Sequence, residues 1–290
     1  MATPMTQPAA APALRTERQI EPTGGMLSEI GWVAWRSLTK LRRNPFLLFF
    51  SLFMPLVWLL MFSQTFGTLF ARGAAGPGGV VLPYDYVAVM LPGITIMTAI
   101  QSASQSGFGM VADIDSGFMD KFFVAPMSRT SVLIGKLLAD GIRMAIQSSI
   151  ILVIAYAMTL LLGWRIPFAT GIPGALLIVL LATAFGIAFS GLSNAVALRT
   201  KNTEATMLVS FTLVFPLQFL SSALIPGPLL PHWVQRFSTI NPVSYLADAS
   251  RALIVSGYNW TAIGQAAAAI AIFGAILNGL AVMAFRAQGK

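Results

Sequence analysis

The chain contains no cysteine and only one histidine, His232, in 290 residues. No disulfide framework is available, and no thiolate can act as nucleophile or ligand. His232 has no nearby ligand partner and no HExxH context, so it reads as a loop histidine and no metal site is expected. Charge is also scarce, at 10% of residues. Acids and histidines do not converge anywhere, which argues against a membrane-embedded enzyme such as a lipid transferase. The chain has no means of its own to hydrolyse ATP. Gly135-Lys136 looks like the end of a phosphate-binding loop, but Leu137 stands where Ser or Thr is needed and Thr130 where the first Gly belongs. No aromatic-interleaved basic patch suits nucleic acid, and no internal repeat is present.

What the sequence has instead is apolar length. It is 56% hydrophobic, with a mean hydropathy of +0.77. Six runs lack Asp, Glu, Lys and Arg altogether: 45–66, 86–109, 144–164, 172–198, 205–225 and 261–285. Each is close to the ~20 apolar residues that a helix needs to cross a bilayer. The alternation of membrane β-strands is absent. The expectation is an all-α polytopic membrane protein with six transmembrane helices and both termini on one side. If that side is cytoplasmic, the inner segments hold 14 of the 18 Lys and Arg, leaving only Arg72, Arg165, Arg236 and Arg251 outside. The positive-inside rule chooses this orientation. The net charge of +8 is then topology and attraction to anionic membrane lipid rather than nucleic-acid binding. Residues 1–25 are rich in Ala, Pro and Thr without an apolar core, and read as a disordered cytoplasmic tail. Residues 26–290 form one membrane domain, and a bacterial plasma membrane is the expected location.

Four stretches within and around the runs are informative. Residues 26–41 mix Trp32 and Trp35 with Arg36 and Lys40, which predicts an N-terminal amphipathic helix on the inner membrane surface, followed by Arg42 and Arg43 at the headgroups. In the second run Thr95, Thr98, Ser102, Gln105 and Ser106 share one face. Hydroxyls and amides must meet protein or water there, so the stripe is either a lining for a translocation path or a small-residue packing face. Gln218 lies just beyond Pro216 in the fifth run. Residues 111–128 carry Asp113, Asp115 and Gly117, then Phe118, Phe122 and Phe123, then Pro126. Exposed Phe on an inner loop suits either a docking surface or an anchor in the bilayer interface. Residues 225–260 are too long for a tight turn and hold Pro226, Trp233, Asn241, Pro242 and Tyr245. They predict two short outer re-entrant helices before the last span.

Several segments stand out in order along the chain: Arg43-Asn44-Pro45 with Pro55, then Asp113-Ile114-Asp115-Ser116-Gly117 through Ala125-Pro126-Met127-Ser128-Arg129 and Gly135-Lys136-Leu137. Phe215-Pro216, Ile225-Pro226, Leu230-Pro231 and Asn241-Pro242-Val243-Ser244-Tyr245 through Arg251 follow. Together they resemble the membrane subunit of ABC transporters of the type-2 export class, in its daunorubicin/doxorubicin-resistance group, and the likeness rests on their order and spacing. It covers nearly all of the chain after residue 26. One departure is Ile114, where the family's inner-loop signature carries Arg between two acids.

The resemblance implies a permease subunit moving a hydrophobic or amphipathic drug, lipid or glycolipid outward. ATP and Mg would be bound by two copies of a partner ATPase, and a second permease chain, identical or homologous, would complete the assembly. It assigns the N-terminal helix (Trp32, Trp35, Arg36, Lys40, Arg43) and the inner loop (Asp113, Asp115, Gly117, Phe118, Phe122, Phe123, Pro126) to ATPase coupling. Thr95, Thr98, Ser102, Gln105 and Gln218 become candidates for the path. Pro226, Trp233, Asn241, Pro242 and Tyr245 become candidates for an outer gate. A polysaccharide exporter shares this architecture. A stand-alone channel or flippase shares the topology without needing a docking loop.

Overall fold

The computed structural model describes residues 25–43, 45–71, 84–117 and 129–287. The described residues are helical with short connections. In chain order the helices are α1 (Met26–Arg43), α2 (Pro45–Ala71), α3 (Tyr86–Asp115), α4 (Arg129–Leu162) and α5 (Gly171–Thr200). After them come α6 (Thr203–Phe219), a 3-10 turn (Gly227–Leu229), α7 (His232–Ser238), α8 (Pro242–Val255) and α9 (Trp260–Ala287). Five of these, α2, α3, α4, α5 and α9, are long and apolar enough to cross a membrane.

α3 is the axis of the bundle. It is buried along most of its length, packing against α5, α4, α2 and α8. Its Gly, Ala and Ser content explains the burial, because small side chains let neighbouring backbones approach in lipid, where the hydrophobic effect gives no preference. One apolar cluster holds its outer half together, with Leu59, Met90, Leu91, Ile94, Ile151 and Ile178 fully buried. A second surrounds Phe185 and Phe189 on α5, where the Phe185 and Phe273 rings stack with centroids 5.4 Å apart. The outward faces of α2, α6 and α9 carry exposed Phe, Leu, Ile and Met, as surfaces against hydrocarbon do.

The helices depart from the six uncharged runs at three places. The fifth run does not stay helical over 205–225. α6 has 17 residues, about 26 Å at 1.5 Å per residue, somewhat short of a ~30 Å hydrocarbon core. Beyond Phe219 the chain is non-helical to the 3-10 turn. The third run begins much earlier than expected. The sequence reads residues 131–143 as an amphipathic approach to the third run, whereas in the structure they are the first turns of α4, so Lys136, Asp140 and Arg143 lie on the same continuous helix as that run. α3 in turn runs past the expected boundary at 109. Asp113 and Asp115 are its last turn, not loop residues. At 30 and 34 residues, α3 and α4 are about 45 and 51 Å long, so their inner ends project beyond the hydrocarbon.

Candidate functional site

At the inner end three helices meet on one carboxylate. Asp113, at the end of α3, lies 2.8 Å from Lys40 and 3.7 Å from Arg36, both on α1, and 3.4 Å from Lys136 on α4. The Asp113 side chain is only 16% exposed. α1 can reach this position because Gly135 on α4 lacks a side chain. A Cβ there would sit 2.8 Å from the Ile30 carbonyl oxygen and 2.8 Å from Val33 Cβ. Val33 and Ala34 are buried in that contact, while Trp32 and Trp35 stand outward, 71% and 66% exposed. The face of α1 opposite its protein contact is therefore aromatic, as an interfacial helix requires. Arg43 is exposed at its last position.

α3 ends in a glycine cap. Gly117 has φ +64, a left-handed conformation that only glycine adopts without strain, and its N–H donates to the Ile114 carbonyl at 2.9 Å. Asp115 is exposed on the final turn. Ile114, in the position where the family carries Arg, packs against a small inner cluster of Met110, Val111, Ala197 and Leu198. This side chain is part of the packing between α3 and α5. Phe118, Phe122, Phe123 and Pro126 lie outside the described residues.

Two to three turns along α3 from Asp113, the polar stripe meets two charges. Arg143 donates from Nε to Ser102 Oγ at 3.0 Å and from a terminal nitrogen to the Ser102 carbonyl at 2.7 Å. It also pairs with Asp140 at 3.1 Å, one turn away on the same helix. Ser106 donates to Asp140 and stands 3.2 Å from the Asn194 amide of α5. A five-member hub thus joins α3, α4 and α5. Arg143 is 19 residues before the end of α4, or about 28 Å, close to the ~30 Å thickness of a hydrocarbon core. Burying charge there is tolerable only because Asp140 and Arg143 are each paired, and the Asn194 amide nitrogen is left without a partner among the described residues.

The other path candidates have varied surroundings. The Thr95 and Thr98 hydroxyls are buried and donate to the Leu91 and Ile94 carbonyls of their own helix. Gln105 is half-buried. Gln218 is 2% exposed, and neither its amide nitrogen nor its oxygen has a partner among the described residues. An unsatisfied buried amide costs about 1–3 kcal/mol per group, so this position carries a strain that packing alone does not require.

At the outer end Asn241 grips the end of α6, and the other candidates lie in the segment that follows it. Asn241 caps α8 by accepting from the Val243 N–H at 3.0 Å. Its amide nitrogen donates to the Leu217 and Leu220 carbonyls at 2.9 and 3.0 Å. Pro242 follows as the first residue of α8, where a missing N–H costs nothing. Tyr245 donates to the Thr239 carbonyl at 2.5 Å. Pro226 leads into the 3-10 turn. Trp233 on α7 is 60% exposed, with the Phe237 ring edge-on at 6.5 Å.

Sequence reasoning did not single out the strongest outer contacts. Arg251 on α8 pairs with Asp248 at 2.7 Å and donates to the Val89 carbonyl of α3 at 3.1 Å and the Ser222 carbonyl at 2.5 Å. Ser222 donates to Asp248 at 2.8 Å. The segment after α6 lies so close to α3 that a Cβ on Gly93 would be 2.1 Å from the Ala223 carbonyl oxygen. The inner pair Asp140/Arg143 and the outer pair Asp248/Arg251 both sit at i, i+3, which puts opposite charges on one helix face. That spacing was the available signal.

A family model described as ABC-2 type transporter matches residues 28–255. A daunorubicin resistance ABC transporter permease protein, DrrB1, of Streptomyces coeruleorubidus is 29% identical over 225 residues, covering 76% of this chain and 72% of that protein. A protein named "Probable doxorubicin resistance ABC transporter permease protein DrrC" of Mycobacterium tuberculosis is 25% identical over 223 residues, covering 77% and 75%. One named "Probable multidrug ABC transporter permease YbhR" of Escherichia coli is 22% identical over 168 residues, covering 58% and 44%.

Proposed function

The chain belongs to the ABC-2 type transporter family, and on that premise we propose that it is the permease subunit of an ATP-driven exporter whose inner helix ends receive the motion of a separate ATPase. The complex pairs two permease chains with two ATPase subunits, and ATP and Mg bind to the latter. The chain sits in a bacterial plasma membrane with both termini cytoplasmic, following its distribution of Lys and Arg. The short α6 completes six spans, and α7 and α8 dip into the outer leaflet as a gate. A span 17 residues long lies within the range of crossing helices, about 17–25.

The carrying observation is the inner clamp. Asp113 ties α1 to α3 and α4, and the exposed Asp115 and the segment 118–128 follow directly from the same helix end. A push on that segment would reach α1, α3 and α4 together, and the Asp140/Arg143 hub carries it on to α5. The relatives named for daunorubicin, doxorubicin and multidrug transport support a hydrophobic or amphipathic drug as cargo. The unpartnered Gln218 amide favours a cargo with a polar group, and it marks the point in α6 where the path is to be sought.

The reading is tested by purifying the tagged protein from native membranes in mild detergent and identifying what accompanies it. A near-stoichiometric P-loop ATPase is expected, together with ATP hydrolysis stimulated in vesicles. Recovery of the permease alone across several detergents, with transport persisting in ATPase-free vesicles, would replace this reading with a channel or flippase.

A further inference from the structure

Little holds α1 to the rest of the protein. Of its 18 residues only Val33 and Ala34 are buried, where the helix meets α4 at Gly135. The ion pairs with Asp113 fasten it to α3. Its charge is one-sided. After Glu29 the helix carries no acid, and Arg36, Lys40, Arg42 and Arg43 follow.

These cations do not all serve one face. At ~100° per residue, Arg42 falls within about 20° of Trp35, and Arg43 within about 20° of Trp32. All four side chains are exposed, and Arg42 and Arg43 have no ion-pair partner among the described residues. Arg36 and Lys40 lie about 40° and 80° round from Trp32, toward Val33 at about 100°. They stand on the border between the exposed face and the face on the protein.

The covalent chain sets the depth of the exposed face. The apolar span of α2 begins at Leu48. Between Arg43 and Leu48 lie two Cα steps of ~3.8 Å and three helical rises of ~1.5 Å, at most about 12 Å in all. A bilayer of about 40–45 Å with a core of about 30 Å has a headgroup layer of about 5–8 Å on each side. Arg42 and Arg43 are therefore tethered within reach of the phosphates, at the level where Trp rings also settle.

The clamp can open without orphaning a charge. Lys136 of α4, only 11% exposed, is 3.4 Å from Asp113 and pairs it independently of α1. Lys40, 57% exposed, and Arg36, 35% exposed, face water as well as Asp113. A cation at an anionic membrane surface gains about fivefold in occupancy, or about 1 kcal/mol, which matches the most that a partly exposed ion pair contributes. Phosphate and Asp113 thus compete for these two cations on nearly equal terms.

We propose that α1 is a sensor of anionic phospholipid: the phosphates of the inner leaflet compete with Asp113 for Lys40 and Arg36, and α1 is released from α3 as their density rises. Arg42 and Arg43 anchor the helix at the phosphates, and the contact of Val33 with Gly135 is the pivot. The consequence for coupling rests on the function proposed above: lipid charge decides whether α1 moves with α3 and α4 when the inner helix ends are pushed. The lipid step itself needs neither ATPase nor transport.

The chain has no native cysteine, so Thr39→Cys on α1 and Thr200→Cys at the end of α5 take a pair of spin labels. Thr200 follows Ala197 and Leu198, which pack against the end of α3, and so serves as the fixed point. Full-length protein without ATPase is placed in phosphatidylcholine vesicles with rising phosphatidylglycerol, and the inter-label distance is read by pulsed electron paramagnetic resonance. One distance is expected in neutral lipid, and a second, longer one is expected to grow with phosphatidylglycerol. Arg42→Gln and Arg43→Gln, both at exposed positions, are each expected to lower the ratio of long to short about fivefold at a given lipid charge. Lys40→Gln is expected to populate the longer distance severalfold more in pure phosphatidylcholine, because its 2.8 Å pair is gone. Should Thr200→Cys not fold, Thr203→Cys, exposed at the start of α6, takes its place. One distance at every lipid charge would overturn the proposal and leave these cations to a protein partner. So would an undiminished response in the Arg42 and Arg43 variants, or a Lys40→Gln protein that matches its parent in neutral lipid. None of these outcomes bears on whether an ATPase drives transport, which the co-purification decides.

Discussion

The two ends of the bundle are fastened differently. At the inner end, side chain meets side chain: one carboxylate, Asp113, is shared by three cations from two other helices. At the outer end, side chains grip main chain. Arg251 holds the carbonyls of Val89 and Ser222, and Asn241 holds those of Leu217 and Leu220. The difference matters because partners of the two kinds exchange at different cost. The two cations from α1, Arg36 and Lys40, are 35% and 57% exposed, and partly exposed pairs of this kind contribute about 0–1 kcal/mol each and can swap one cation for another, while Lys136 keeps Asp113 paired. A buried cation that satisfies a carbonyl of non-helical backbone, as Arg251 does at Ser222, cannot leave without orphaning it. The inner end is thus suited to move as helices shift, and the outer end to hold a fixed shape until the whole assembly rearranges.

The comparison breaks most visibly if the outer fastening is forced apart. Gly93→Val places a side chain against the Ala223 carbonyl and is expected to yield little folded protein, read as loss of a sharp gel-filtration peak in detergent. Arg251→Leu keeps the volume but removes the donors. It is expected to cost about 3 kcal/mol, as for a broken buried pair, seen as a large drop in apparent melting temperature. Asn241→Ala removes one cap and is expected to cost about 1 kcal/mol. Lys40→Gln sharpens the contrast from the other side. It removes a cation that is 57% exposed while Lys136 keeps Asp113 paired, so its effect on stability is expected to be under about 1 kcal/mol, yet transport-coupled ATPase activity should fall severalfold. A further sign of the inner mode is salt. Screening shortens the reach of exposed charges to about 8 Å at physiological ionic strength and to about 3 Å at 1 M. High salt is therefore expected to loosen α1, measured as faster hydrogen exchange there, while the segment around Ser222 stays protected.

Much of this was legible in the sequence because it rests on local rules. Five of the six uncharged runs marked helices long and apolar enough to cross a membrane, Trp32 and Trp35 marked the outward face of α1, and Asn241-Pro242 marked the start of α8 through the chemistry of a cap followed by proline. What sequence reasoning missed was long-range. Apolar composition continues through residues 220–225, so nothing local showed that α6 would stop at Phe219. The stop depends on Asn241, Ser244 and Arg251 arriving from α8 to satisfy the freed backbone. Likewise Ser102 and Ser106 formed a visible stripe, but their partners Asp140 and Arg143 belonged to what read as a separate approach before the third run. Only the continuity of α4 brings them to the same depth. For Ile114, a rule about the family pattern predicted a lost cation, and the tertiary contact with Ala197 and Leu198 supplied the reason an apolar side chain fits.

The same helix end accounts for two residues of the expected coupling segment. A Gly117→Pro change cannot keep φ +64 or donate to Ile114, so it should fray the last turn of α3, where Asp113 and Asp115 sit. Asp115→Lys reverses an exposed charge without touching a buried contact. Both are expected to reduce coupled transport, the first with a modest loss of stability and the second with none.

The most direct measurement uses the absence of native cysteine. A single Asp115→Cys variant, and separately a Trp233→Cys variant, is labelled with a photo-crosslinker in native membranes, and the adducts are identified by mass spectrometry. The account predicts a P-loop ATPase adduct from position 115 at the inner end and none from position 233 at the outer end. An ATPase adduct from 233, or the lack of one from 115 in membranes where the ATPase is present and transport is active, would contradict it.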